Sequence, residues 1–124
     1  MHVNEISEKF LGACFEVSNV LGSGFNEQVY ENSLMEELGL RGLRARNQVP
    51  LEVSYKGKVV GEFRADIIAE EELLVELKAV KAMTSEMEAQ CHHYLKATGM
   101  KVCLLINFGT SRIGIKRLVH EFEG

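Results

Sequence analysis

The sequence of 124 residues lacks paired cysteines, a long hydrophobic run and a large excess of basic residues. Its three cysteines, Cys14, Cys91 and Cys103, show no CxxC spacing, which argues against a zinc ribbon, an iron–sulfur cluster or a disulfide framework. Residues 1–8 lack the basic and apolar regions of a signal peptide, and no apolar run approaches the length of a membrane span. We therefore expect a cytoplasmic protein with reduced thiols and no membrane contact.

The net charge of -4 counts against a general polyanion binder, because affinity for nucleic acid comes largely from neutralised phosphates. The charge is uneven, however. Up to Leu40 a single basic residue, Lys9, stands against seven glutamates, whereas basic residues slightly outnumber acidic ones from Arg41 onward. A nucleic acid could use the second part of the surface, with weak binding by the isolated chain.

Apolar periodicity predicts one domain over residues 1–124, in the order helix, helix, three strands, helix, strand, strand. The predicted helices span about 3–21, 26–39 and 85–98. The predicted strands span 49–55, 59–68, 73–79, 102–107 and 112–119. This order predicts an α/β sandwich around a mixed sheet, written ααβββαββ.

Several local features support these boundaries. The first three strands should form an antiparallel meander, with the only proline, Pro50, on an edge strand or at an irregular strand start. A capping box of Ser85 and Glu88 should begin the third helix. The apolar strand 102–107 should lie in the interior of the sheet, and Ile113, Ile115 and Leu118 near the last strand should point inward.

The stretch 64–78 contains the strongest chemical pattern, two short apolar runs joined by three glutamates at 70–72. A tight antiparallel hairpin places Asp66 opposite Glu76, with Cβ atoms about 5 Å apart, and Lys78 follows on the same face. Like charges so close are costly unless a hard divalent cation neutralises them. The alternative is a solvated sheet face on which Lys78 pairs with one of the two acids.

Two helices carry further polar candidates. Glu27 lies in the first turn of the second helix, where the helix dipole favours an anion, and Tyr30 lies three residues on, on the same face. Taken alone, Glu27 is a charge-compatible helix start and Tyr30 a core residue with a polar tip. Gln90 and Tyr94, four residues apart, share one face of the third helix.

Asp66, followed by Glu76-Leu77-Lys78 on the next strand and by a helix with Gln90-x-x-x-Tyr94, resembles the PD-(D/E)xK nuclease superfamily. Gly24-x-x-Glu27-x-x-Tyr30 is similar to the signature of its small GxxExxY family. The resemblance runs from about residue 6 to residue 119 and implies a restriction-endonuclease-like sandwich. Here Arg64-Ala65-Asp66 stands where the superfamily name implies Pro-Asp.

The resemblance also implies roles for these residues. The implied ligands of Mg²⁺ or Mn²⁺ are two strand carboxylates, one main-chain carbonyl and one helical acid: Asp66, Glu76, Leu77 and Glu27. Lys78 would hold or deprotonate the attacking water and stabilise charge on the scissile phosphate. Gln90 and Tyr94 would orient the site or the nucleic-acid backbone.

The implied function is metal-dependent hydrolysis of DNA phosphodiester bonds. A homodimer that pools its basic surfaces, or a protein partner, would compensate for the acidic net charge. The alternative is a nuclease-fold module of weak or no activity, which binds nucleic acid or a protein within a larger assembly. The sequence leaves open DNA versus RNA, and endo- versus exonucleolytic cutting.

Overall fold

The computed structural model describes residues 1–120 and confirms the predicted order of elements there. The helices are α1 (Val3–Leu21), α2 (Glu27–Leu40) and α3 (Ser85–Thr98). The strands are β1 (Ala45–Tyr55), β2 (Lys58–Ala69), β3 (Leu73–Lys78), β4 (Val102–Asn107) and β5 (Gly114–Val119).

The five strands form one mixed sheet in the order β1-β2-β3-β4-β5. Strands β1, β2 and β3 form the predicted antiparallel meander, and Pro50 lies on the edge strand β1. Strands β3 and β4 are parallel, because α3 carries the chain back across the sheet between them. All six residues of β4 are buried between its neighbours, as predicted for an interior strand.

The sheet separates two apolar cores. On one side α1 and α2 pack against alternate residues of β3, including Leu73 and Val75. On the other side α3 packs against the residues between them, including Leu74. This alternation follows from the two-residue period of a strand, and it explains why the short run 73–77 is apolar almost throughout.

The hairpin between β2 and β3 has the predicted register, with Ile67 opposite Val75. Its turn is tight, since Glu70 and Glu71 both adopt left-handed backbones and the N–H of Glu72 donates to the carbonyl of the last β2 residue at 3.0 Å. The turn therefore fixes which residues of the two strands face each other.

Two local predictions are wrong. The N-cap of α3 is Thr84 rather than Ser85: the Thr84 hydroxyl accepts from the backbone N–H of Met87, so Ser85 is already helical and forms no capping box. Ile115 of the edge strand β5 is 36% exposed rather than inward, whereas Leu118 is buried.

The three cysteines are free and buried. Across residues 1–120, none of the helices combines the length and the apolar character needed to cross a membrane.

Candidate functional site

Asp66 and Glu76 lie where β2 and β3 diverge, just beyond the pairing of Ile67 with Val75. There, the backbone N–H of Asp66 donates to Glu76 Oε1 at 3.2 Å, and the backbone N–H of Leu77 donates to Asp66 Oδ2 at 2.7 Å. The two carboxylates thus accept the hydrogen bonds that backbone carbonyls would accept if the pairing of β2 with β3 continued. The structure brings the two acids together as the hairpin register predicts.

Glu76 is buried and Asp66 is half-buried. Glu76 is 4% exposed, and burial, followed by the charge of Asp66, raises its pKa to about 9. Burial also raises the pKa of Asp66; the hydrogen bond from Leu77 opposes this shift, and the charge of Glu31 adds to it. Glu76 is therefore held in its protonated form at neutral pH when no cation is bound. Ionising both acids is electrostatically unfavourable unless a cation neutralises them.

Asp66 Oδ2 and Glu76 Oε1 each accept one backbone N–H, and a hydrogen bond between the two side chains lowers the pKa of Asp66. Over residues 1–120, Ser7 Oγ is the one fully buried side-chain polar atom without a hydrogen-bond partner. The carboxyl oxygens of Asp66 and Glu76 are therefore not among the buried atoms left without a partner.

The carbonyl of Leu77 faces the same gap between β2 and β3. In a strand, the N–H and C=O of one residue point to the same side, and those of the next residue point to the other side. Lys78 faces β4, since its carbonyl accepts from the N–H of Phe108 at 2.8 Å. Leu77, whose N–H donates to Asp66, faces away from β4, so its carbonyl lies on the β2 side of β3.

Lys78 lies half-buried at the end of β3, close enough for its charge to lower the pKa values of both Asp66 and Glu76. Within residues 1–120 it nevertheless forms no direct ion pair with either acid. The ammonium group is therefore near the pair without being tied to it.

A third acid approaches from α2, and it is Glu31. This residue is 4% exposed; its Oε1 accepts from Gln48 Nε2 at 2.7 Å and its Oε2 accepts from Asn47 Nδ2 at 3.1 Å. Its charge acts on Asp66. Glu27 lies one turn earlier on the same face of α2, where it is exposed.

Glu31 is not among the site residues predicted from the sequence, although its position in the apolar pattern marks it. Leu34 and Leu38 follow it by three and seven residues, so all three lie on the buried stripe of α2. An acid on an apolar stripe needs polar partners, and this one meets the side-chain amides of β1. The metal role predicted for Glu27 stays a prediction.

The two site residues predicted on α3, Gln90 and Tyr94, differ in burial. Tyr94 is buried, and burial, followed by the charges of Glu76 and Asp66, raises its pKa to about 12. Its ring centroid lies 5.5 Å from that of Phe63. Gln90, one turn earlier on the same helix face, is half-buried. Tyr94 therefore lies within electrostatic range of the acidic pair.

Tyr30, the last residue of the Gly24-x-x-Glu27-x-x-Tyr30 segment, has a structural role. Its hydroxyl donates to the carbonyl of Gly22 at 2.6 Å, and its ring stacks on Phe108 at 4.5 Å between centroids. It ties the loop between α1 and α2 to the end of β4, as expected of a core residue with a polar tip.

The donor set fits a hard divalent cation. Over residues 1–120, no three His, Cys, Asp or Glu side chains converge into a ready-made metal site. Mg²⁺ does not require one, since it usually keeps several waters and is bound through one or two carboxylates. Two adjacent carboxylates, with the Leu77 carbonyl on the same side of β3, meet that requirement.

Comparisons with known proteins agree with this geometry. A sequence model of the PD-(D/E)XK nuclease superfamily matches residues 4–118. No curated protein matches the sequence. The crystal structure of SSO0001 has a similar fold, with a TM-score of 0.61 and 20% sequence identity over 78% of this chain; the chain spans 52% of that structure's length. With a match over nearly its whole length and the α/β sandwich expected of a restriction-endonuclease-like fold, the chain belongs to the PD-(D/E)XK nuclease superfamily.

Proposed function

We propose that the protein is a metal-dependent nuclease of the GxxExxY family that hydrolyses DNA phosphodiester bonds. The observation that supports this most strongly is the pair of half-buried Asp66 and buried Glu76, each of which accepts a backbone N–H from the other's strand, with Lys78 next to it. Two adjacent acids that cannot both ionise without a counter-charge are an unfavourable feature for a merely structural surface. It is the feature that a cation site requires.

Asp66, Glu76 and the carbonyl of Leu77 would hold Mg²⁺ or Mn²⁺, with Glu31 and then Glu27 as the acids available from α2. The cation, when bound, would polarise a phosphoryl oxygen and lower the pKa of bound water. The hydrogen bonds from the two backbone N–H groups orient the carboxylates in advance, so little reorganisation is needed on binding.

Lys78 would stabilise the negative charge that develops on the scissile phosphate. We assign it the role of electrostatic donor rather than general base, because its ammonium group is near two carboxylates and bound to neither. Tyr94 would close the α3 side of the site against water, and Gln90 on the same helix face would contact the backbone of the nucleic acid.

The hairpin of β1 and β2 supports a role in substrate contact. Its outer half extends past the residues of β2 that pair with β3, and it exposes Tyr55 and Phe63 together with Lys58 and Arg64. Exposed aromatic and basic side chains suit the bases and phosphates of an unstacked strand. A homodimer would supply two such hairpins, which would offset the net charge of -4.

The direct test is cleavage of plasmid DNA, single-stranded DNA and RNA by the purified protein with millimolar Mg²⁺ or Mn²⁺. We expect DNA cleavage that EDTA abolishes and that Asp66→Asn lowers by about 100-fold or more. Glu72→Gln, an exposed acid in the β2–β3 turn, is the matched control and should cleave at the wild-type rate. Equal cleavage by Asp66→Asn would refute the mechanism. Metal binding without cleavage of any substrate would favour the non-catalytic binding module.

A further inference from the structure

Gln48 has an unusual backbone for a strand residue. Its φ is 50°, whereas the other non-glycine residues with positive φ among positions 1–120 lie in turns. A left-handed backbone at a non-glycine residue is strained, and it persists where the surrounding structure holds it, often at functional sites. The left-handed conformation does not stabilise a glutamine by itself. The contacts made by Gln48 should therefore explain why the conformation is kept.

The strain coincides with a change of face in the sheet. On β2, Ile67 packs in the core formed with α1 and α2, whereas Ala65 packs in the core formed with α3. Residues two apart in a regular strand share a face, so both strands are reoriented between these positions. The register places Gln48 across from Asp66, at the centre of this change.

The left-handed backbone lets two consecutive side chains reach one carboxylate. In a regular strand Asn47 and Gln48 would point to opposite faces. Here Asn47 Nδ2 donates to Glu31 Oε2 at 3.1 Å, and Gln48 Nε2 donates to Glu31 Oε1 at 2.7 Å. The displaced carbonyl of Gln48 accepts from Arg64 Nη1 at 3.3 Å. Both oxygens of Glu31 are thus fixed by neutral donors, which orient its charge without cancelling it.

We propose that Gln48 is a positioning residue: its left-handed backbone aims the side-chain amide at Glu31 and fixes that carboxylate beside Asp66, where it tunes the affinity of the site for a divalent cation. The cation part of this inference rests on the proposed function. The placement of Glu31 does not, because Gln48 and Asn47 contact Glu31 in the metal-free protein.

The Gln48→Asn variant distinguishes the contribution of the side chain from that of the backbone conformation. Asparagine tolerates the left-handed region, so the fold should be kept, but its side chain is one methylene too short for the contact with Glu31. Calorimetry with Mn²⁺ should show about 10-fold weaker binding than in the wild type, as is typical when a group that orients a ligand is removed. Crystals of the metal-free variant should show the Glu31 carboxylate rotated away from its wild-type position.

Two further variants complete the test. Gln48→Gly accepts the same φ and lacks the amide altogether, so it should reproduce both effects even if the asparagine variant folds poorly. Lys56 is an exposed turn residue with a φ of 49°, so Lys56→Asn is the matched control. It should change neither the Mn²⁺ affinity nor the position of Glu31.

Wild-type Mn²⁺ affinity in folded Gln48→Asn and Gln48→Gly, or an unmoved Glu31, would overturn the inference. If the wild type itself binds no Mn²⁺, the proposed function and the cation part of the inference both fail. The position of Glu31 in the metal-free crystals then still decides whether Gln48 holds it.

Discussion

The backbone N–H of Asp66 donates to the carboxylate of Glu76 across the point where two strands part, at 3.2 Å. The side chain of one acid is thereby fixed by the main chain of the other, so the hairpin itself sets their separation. Burial raises the pKa values of both groups, and the charge of Asp66 adds to the shift of Glu76. A site arranged in advance for a cation should therefore cost stability when the cation is absent.

The raised pKa of Glu76 predicts that the stability of the metal-free protein falls as the pH rises. The pKa of Glu76 is about 9 in the folded chain and about 4.5 in an ordinary environment. The folded state thus binds the Glu76 proton more tightly than the unfolded state does. Its contribution to the free energy of unfolding is highest below pH 4.5 and falls as pH rises toward 9, on the order of a few kcal/mol in total.

Urea unfolding in EDTA at several pH values between 5 and 9, with wild type and Glu76→Gln side by side, measures this contribution. The glutamine oxygen can still accept from Asp66, so the variant should lose the fall with pH and be the more stable protein at pH 8. If the stability of the wild type changes between pH 5 and pH 8 no more than that of the variant, the raised pKa of Glu76 is contradicted.

Lys78→Ala should separate catalysis from cation binding. The ammonium group forms no ion pair with Asp66 or Glu76, so its loss should leave Mn²⁺ affinity unchanged or slightly higher, because one positive charge near the cation is removed. DNA cleavage should fall by about 100-fold or more. Lys81→Ala, an exposed lysine three residues on, should leave both quantities as they are. Weaker Mn²⁺ binding in Lys78→Ala would show that the lysine organises the acids instead.

Glu31 and Glu27 provide a matched pair on one face of α2. Glu31→Gln keeps the shape of a buried side chain but removes the charge that acts on Asp66, so Mn²⁺ affinity should fall by about 10-fold. Glu27→Gln changes an exposed side chain and should alter the affinity by less than about twofold. Calorimetry on the two variants decides which acid serves the site. A larger loss in Glu27→Gln would restore the role that the sequence pattern suggests.

Gly109 should be required for the position of the strand that carries Lys78. Asn107 joins the two strand ends, since its Oδ1 accepts from the N–H groups of Val80 and Gly109 at 3.0 and 2.9 Å. A Cβ on Gly109 would collide with the backbone of Val80. Gly109→Ala should therefore lower the free energy of unfolding by about 2–4 kcal/mol.

Gly39→Ala is the control for that substitution. Gly39 lies in α2 with open space around it, so alanine there should stabilise the protein by about 0.5–1 kcal/mol. Chemical denaturation of both variants measures whether the free energy of unfolding falls in Gly109→Ala and rises in Gly39→Ala. A Gly109→Ala protein as stable as wild type would mean that the two strand ends are free to move apart.

Much of the fold followed from local pattern. Helical periodicity located α1 and α3 to the residue, and alternation with turn residues located the meander. The register of Asp66 against Glu76 followed from the central position of a three-residue turn. Each of these rests on neighbours in sequence, which is why a single sequence was enough. The cap at Thr84 was missed because two adjacent hydroxyl residues offered equivalent signals.

The contribution of β1 to the site could not be predicted in the same way. Gln48 reaches Glu31 because of one left-handed residue inside a strand, and no pattern in the sequence marks that conformation. The proximity of Tyr94 to Glu76 depends on how α3 crosses the sheet. Such relationships arise from long-range packing, so they appear only when the chain is folded.

The central claim is that Asp66 and Glu76 bind one divalent cation between them. Crystals soaked in millimolar Mn²⁺ and measured at the manganese absorption edge test it most directly. We expect one anomalous peak within ligand distance of both carboxylates and of the Leu77 carbonyl, at about 2.0–2.4 Å, and no peak there in Asp66→Asn. Mn²⁺ bound elsewhere, or two carboxylates left empty at that concentration, would contradict it.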